Sequence, residues 1–313
     1  MMRDLLPSGA AEPMVIHRHS YPQPRALLEL LKPITWFPPM WAYLCGVVSA
    51  GSTFSETWPA ALAGALLAGP LVCGTSQVVN DWYDRHVDAV NEPNRPIPSG
   101  RVPGRWGFAF AVAWTIVSFL FATLLGPQVM LATLLGLACA WAYSAPPLRL
   151  KGNGWYGNLA VGLCYEGLPW FTGAAAVLGT WPDARILALA LLYSLGAHGI
   201  MTLNDFKSIE GDKQHHVRSI PVQIGAERAA RLACWVMAVP QVVVIGLLVQ
   251  WGAPVHAGIV TAMLLAQLVL MRTLVAHPRE RAPWYNGTGV TLYVLGMLVC
   301  AFALRSFNTT GGM

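Results

Sequence analysis

The 313 residues are 55% hydrophobic and only 11% charged, roughly half the charge of an ordinary soluble domain. Long apolar windows recur along most of the chain, which excludes a soluble globular protein and indicates a polytopic one embedded in the lipid bilayer. The net charge of +5 does not point to nucleic acid, because the basic residues are spread over many loops.

The first 30 residues are polar and Pro-rich, without an apolar stretch of signal-peptide type. They are expected to form a flexible cytoplasmic tail ahead of a single transmembrane domain over 31–313. The fold class is all-α. Nine spans are predicted, at 34–50, 58–79, 106–126, 128–143, 159–178, 185–203, 231–250, 254–275 and 287–304, lengths suited to helices crossing about 30 Å of hydrocarbon. With nine spans, 18 of the 20 Lys and Arg residues fall on one side and only Arg185 and Arg305 on the other. This bias sets the N-terminus and the basic loops inside. Cys45, Cys73, Cys139, Cys164, Cys234 and Cys300 all lie in apolar windows without paired spacing. They read as membrane-buried thiols, not disulfides or a zinc site.

After the second span comes "NDWYDRHVD", Asn80 to Asp88. After the fourth comes "YSAPPLRLKGNGWYGN", in which Pro146-Pro147 ends the helix and the glycines make a compact turn. Its Arg149 and Lys151 are either phosphate ligands or ordinary positive-inside residues, and spacing does not choose. Glu166 lies inside the fifth span. An intramembrane carboxylate is a functional candidate, with a structural hydrogen bond near Pro169 as the alternative. In the sixth span, His198 reads as a hydrogen-bonded helix histidine in preference to a pigment-magnesium ligand.

The sixth span leads into "NDFKSIEGD", Asn204 to Asp212, which repeats the earlier motif. Asp81, Asp84 and Asp88 correspond to Asp205, Ser208 and Asp212, and "RPIP" at Arg95 answers "RSIP" at Arg218. The offsets are 124 and 123 residues, and four spans separate the copies. Both motifs therefore face the same side, as a duplicated four-helix unit in parallel orientation with a ninth helix added. Positions three and seven apart share one helix face, so each motif forms an acidic stripe if its helix continues. Stacked carboxylates need positive charge among them. Hard oxygen ligands suit Mg²⁺, which takes a few carboxylates plus water and substrate phosphate. Arg95 and Arg218 are placed to neutralise the remaining phosphate charge. A single acidic loop would read as a solvated helix end; its repetition at near-constant spacing favours a site.

These motifs resemble the UbiA superfamily of intramembrane prenyltransferases. "NDWYDRHVDAVNEPNRPIPSGR" is similar to the chlorophyll synthase branch, and "LKPITWFPPMWAYLCG" and "CYEGLPWFTGAA" to its bacteriochlorophyll members. The similarity covers about residues 25–305. It implies nine helices around a central cavity, with Mg²⁺ held by Asn80, Asp81, Asp84 and Asp88 in the first motif and by Asp205 and Asp212 in the second. Asp84, Asp88 and Asp212 are its implied catalytic residues, and Arg95, Arg149, Lys151, Arg218 and Glu166 the candidate substrate contacts. Ser208 stands where many members carry an aspartate. The resemblance further implies an isoprenoid diphosphate donor, geranylgeranyl or phytyl, a bacteriochlorophyllide acceptor, a bacterial inner-membrane location and association with other pigment proteins. The alternatives are a quinone- or haem-pathway prenyltransferase, a transporter, or a pigment-binding scaffold.

Overall fold

The computed structural model describes residues 21–310. Residues 1–20 of the expected tail lie outside the described residues. The rest of that tail is not flexible: Pro24–Leu30 forms helix α1, with Ala26 and Leu30 fully buried. Glu29 is held by Arg101 through a bidentate pair of 2.5 and 2.9 Å. Apolar positions on one face of a Pro-initiated turn explain the docking.

The fold is helical, with no named strand among the described residues. After α1 come α2 (Phe37–Ser49) and α3 (Ser55–Asn91), which passes through a π-helical stretch at Leu67–Cys73. Next are α4 (Trp106–Thr123) and α5 (Pro127–Ser144). Helices α6 (Gly154–Gly162) and α7 (Leu168–Leu178) are joined by a second π stretch, Leu163–Gly167. There follow α8 (Ala184–Asn204), the short α9 (Ile209–Gln214) and α10 (Ile220–Ile224), α11 (Ala226–Gln250), α12 (Pro254–Ala276), α13 (Pro278–Gly287) and α14 (Gly289–Thr310). Seven helices among the described residues are long and apolar enough to cross a membrane: α3, α4, α5, α8 with its extension to Lys207, α11, α12 and the run from α13 into α14. The expected span at 34–50 is the 13-residue α2, and that at 159–178 is the broken pair α6–α7.

Start signals are local. Pro occupies the first turn of α5, α12 and α13, where its missing N–H costs nothing. The Asp183 carboxylate accepts from the Arg185 and Ile186 N–H groups, 2.9 Å each, and caps α8. The first π stretch contains Pro70, and the second ends two residues before Pro169. A wide turn absorbs the lost helix hydrogen bond and re-aims the side chains around it.

In lipid, helices associate through close packing and interhelical hydrogen bonds. Helices α2 and α7 touch backbone to backbone: a Cβ at Gly46 would overlap the Trp170 carbonyl, and one at Gly173 the Tyr43 carbonyl. Gly173→Leu is therefore expected to destabilise the bundle by at least about 1–3 kcal/mol, read as a lower midpoint of thermal unfolding in detergent. Beside this seam, the Trp170 indole donates to Ser49 Oγ at 3.0 Å and the Tyr293 hydroxyl to the Tyr193 carbonyl at 2.6 Å. Between α11 and α12 the buried Gln241 and Gln267 exchange reciprocal amide hydrogen bonds of 3.1 and 3.0 Å. Gln241→Leu strands the Gln267 amide and should cost about 1 kcal/mol, and adding Gln267→Leu should restore most of it. A double-mutant cycle of unfolding in detergent checks this.

The bundle brings the ends of α3, α5 and α8 and the start of α6 to one rim. There a backbone bridge ties two loops: Gly154 N–H donates to the Arg218 carbonyl (2.8 Å) and Arg218 N–H to the Gly152 carbonyl (3.0 Å).

Candidate active site

The first motif keeps its stripe because α3 runs unbroken to Asn91. Its carboxylates have cations among them. Lys32 bonds Asp81 at 2.6 Å, Arg95 bridges Asp88 (2.8 Å) and Asp81 (3.6 Å), and Lys151 lies 2.6 Å from both oxygens of Asp84. Burial lowers the Lys151 pKa from the ordinary lysine value, and Asp84 offsets part of that.

The second motif does not form the matching stripe. Helix α8 ends at Asn204, Asp205–Lys207 is a 3₁₀ turn, and Ser208 leaves helical geometry before α9 begins. The Ser208 hydroxyl lies 3.1 Å from the Asp205 carbonyl and 3.0 Å from Asp212 Oδ2, a local bond that competes with helix continuation. Asn158, from α6, donates to Asp205 Oδ2 at 3.2 Å and to Thr202 Oγ1 at 3.3 Å.

Both motifs nonetheless line one polar cavity of about 360 Å³. Asp84 and Asp88 enter from α3, Asp205 and Asp212 from the second motif, and Arg149 and Lys151 from the turn after α5. A second, mainly apolar cavity of about 260 Å³ runs into the bundle, walled by Val72, Gly136, Tyr165 and Leu168 among others. Asn80 lines this apolar cavity and donates to Ser144 Oγ at 3.3 Å. Tyr143 lines both cavities.

The remaining candidates stand elsewhere. Asp81 is buried against Lys32 and Arg95 and does not line the polar cavity. Arg95 sits behind Asp88 and does not line it either. Arg218 is exposed and contributes its backbone to the loop bridge, with Gln223 also donating to its carbonyl; the break after Asn204 spoils the register that would make it answer Arg95. Glu166 is buried in the second π stretch with Oε2 unpartnered, and lines neither cavity. His198 stacks on Trp155 at 5.8 Å between centroids.

Sequence reasoning missed Asn158, Tyr143, Asn91 and His215. The last two meet across the rim at 3.3 Å, from the end of each motif. Asn158 had a readable signal: it closes the Gly-rich turn that carries Lys151.

The donor set fits a hard divalent cation. Among the described residues no three carboxylates, histidines or cysteines converge on one point, so the carboxylates of Asp84, Asp88, Asp205 and Asp212 would need water and phosphate to complete the coordination, as Mg²⁺ prefers.

Comparison with known proteins agrees with this geometry. A model of the UbiA prenyltransferase family matches residues 37–288. The bacteriochlorophyll synthase 33 kDa chain of Cereibacter sphaeroides is 62% identical over 293 residues, covering 94% of this chain and 97% of that one. The bacteriochlorophyll synthase 34 kDa chain of Chloroflexus aurantiacus is 45% identical over 95% of this chain and 97% of its own. The chloroplastic chlorophyll synthase of Oryza sativa subsp. japonica is 36% identical over 88% and 76%. Among solved structures, a UbiA homolog from Archaeoglobus fulgidus bound to GPP and Mg²⁺ superposes with a TM-score of 0.68 at 20% identity, covering 90% of this chain and 99% of that one. That likeness is one of fold. By the family match and by relatives of this identity over nearly its whole length, the chain belongs to the UbiA prenyltransferase family.

Proposed function

We propose that the chain transfers a geranylgeranyl or phytyl group from its diphosphate to the propionate carboxylate of bacteriochlorophyllide, releasing diphosphate. The observation that carries this reading is the meeting of a polar, mixed-charge cavity with an apolar one at Tyr143. A diphosphate head and an isoprenoid tail need that pairing of environments. The names of the relatives supply the acceptor.

In this reading Arg149 and Lys151 bind diphosphate oxygens, as donors lining the polar cavity. Magnesium held by Asp84 and Asp88 of the first motif and by Asp205 and Asp212 of the second would supply charge stabilisation to the departing diphosphate. Asn158 and Ser208 orient Asp205 and Asp212. The apolar walls hold the tail and keep water from the allylic cation. As the carbon–oxygen bond to diphosphate breaks, a propionate oxygen forms the new ester bond. The propionate is already ionised at neutral pH, so the chain need supply no base. Arg95 and Lys32 hold the acidic end of α3 together from behind, and Arg218 ties the loops at the rim.

The same reading takes α2 and the pair α6–α7 as spans, making nine in two repeated four-helix units plus α14, within one transmembrane domain over 31–313. It sets the N-terminus and the polar cavity at the cytoplasmic face of a bacterial inner membrane, beside other pigment-pathway proteins.

The test is direct. Purified protein in nanodiscs, with bacteriochlorophyllide, Mg²⁺ and each diphosphate in turn, should yield esterified pigment by chromatography, and chelation with EDTA should stop it. No ester with either donor would sink the proposal.

A further inference from the structure

The two motifs differ in what neutralises their carboxylates. In the first, each aspartate is ion-paired: Asp81 with Lys32, Asp88 with Arg95, Asp84 with Lys151. In the second, Asp205 and Asp212 take hydrogen bonds from the neutral Asn158 and Ser208 and make no ion pair among the described residues.

We infer that Lys151 is an internal counter-ion on Asp84 that an arriving diphosphate draws away, so that the first motif takes up a divalent ion only together with diphosphate whereas the second takes one up alone. This rests on the diphosphate reading of the cavity above. Lys151 occupies both Asp84 oxygens at 2.6 Å with its side chain 13% exposed. A divalent ion on Asp84 would lie against the ammonium, and like charges in a partly desolvated site repel strongly. One of the two must leave. The ammonium can, because it rides a flexible four-carbon stem and already lines the cavity where diphosphate would lie. A diphosphate carries more negative charge than one carboxylate and so outcompetes Asp84 for it. Arg95 does not line that cavity and keeps Asp88 and Asp81 in place through the exchange. In the second motif the donors on Asp205 and Asp212 are neutral, so an arriving ion meets no ammonium there. Ser208, where an aspartate would add a third, keeps that half-site to two.

Mn²⁺ binding to the full chain in detergent, followed by electron paramagnetic resonance with and without an unreactive thiolodiphosphate analogue of geranylgeranyl diphosphate, tests this. Wild type should bind one Mn²⁺ per chain alone, with a second ion bound only when the analogue is present, its affinity rising by about tenfold or more. Lys151→Met should bind the second ion without the analogue, at the affinity the wild type reaches with it. Lys151→Gln, which keeps a hydrogen bond to Asp84 but no charge, should behave as Lys151→Met and covers a folding defect in the first variant. Two ions in wild type without analogue, or wild-type binding in both variants, overturns the handover and leaves the site reading intact. No Mn²⁺ bound by any of the three even with analogue overturns both.

Discussion

Asp212→Ala and Asp84→Ala each abolish prenyl transfer, lowering kcat/KM by roughly three orders of magnitude or more, while the protein remains folded in detergent. The two differ in what else they disturb, which makes the pair informative. Asp212 stands on the short α9, is half-buried, and its carboxylate is bonded by the Ser208 hydroxyl. Removing it leaves the Ser208 hydroxyl its bond to the Asp205 carbonyl, so the structural cost is small. Asp84 is bonded to Lys151, a mostly buried ammonium, so Asp84→Ala leaves a charge without its partner and should also lower thermal stability. A loss of turnover common to both, with a stability loss confined to Asp84→Ala, separates chemistry from folding. Measurement is by steady-state ester formation beside thermal unfolding of the same preparations. Full activity in both variants would remove the acidic motifs from the reaction.

Much of this site was legible as sequence because it depends on identity and spacing. Asp84, Asp88, Asp205 and Asp212 and the turn bearing Arg149 and Lys151 all arrive at one cavity, whereas Asn80, Asp81 and Asn204 of the two Asn-Asp pairs do not line it. Hydrophobic length located the long spans for the same reason. Three things were not legible. The break after Asn204 depends on one hydroxyl choosing Asp212 and a backbone carbonyl over a helix-compatible direction, and periodicity gives no warning of it. The diversion of Asp81 depends on Lys32, 49 residues away in sequence, with a left-handed backbone at φ 46° that aims its ammonium at α3. The π stretches depend on how α3 and the α6–α7 pair accommodate Pro70 and Pro169 within the bundle. They wall the apolar cavity with Val72, Cys73, Cys164 and Tyr165, and no spacing rule places them there. The first motif keeps its helical spacing because α3 is regular over Gly74–Asn91; the second is its copy in sequence, and the copy has diverged in backbone as well as at Ser208.

Gly136→Phe should turn a long-chain enzyme into a short-chain one. Gly136 faces the apolar cavity from α5, seven residues before Tyr143, or about 10 Å along the helix from the junction with the polar cavity. A Cβ there would meet Val72 Cγ1 at 3.6 Å and Leu168 Cδ1 at 3.9 Å, ordinary contacts, so the backbone tolerates it. The ring beyond it has nowhere to go but the cavity, whose volume of about 260 Å³ it would partly fill. The head-group site lies on the other side of Tyr143 and is untouched. The expected result is a fall in kcat/KM for a twenty-carbon diphosphate of roughly a hundredfold, the scale of a lost hydrophobic segment with a steric clash added. A five- or ten-carbon diphosphate, ending above the plug, should lose less than about tenfold. Competition between the two donors, read by chromatography of the esters, gives the ratio directly. An unchanged ratio would mean that the tail leaves the bundle by another route, since a plug on the path of the chain must discriminate by length.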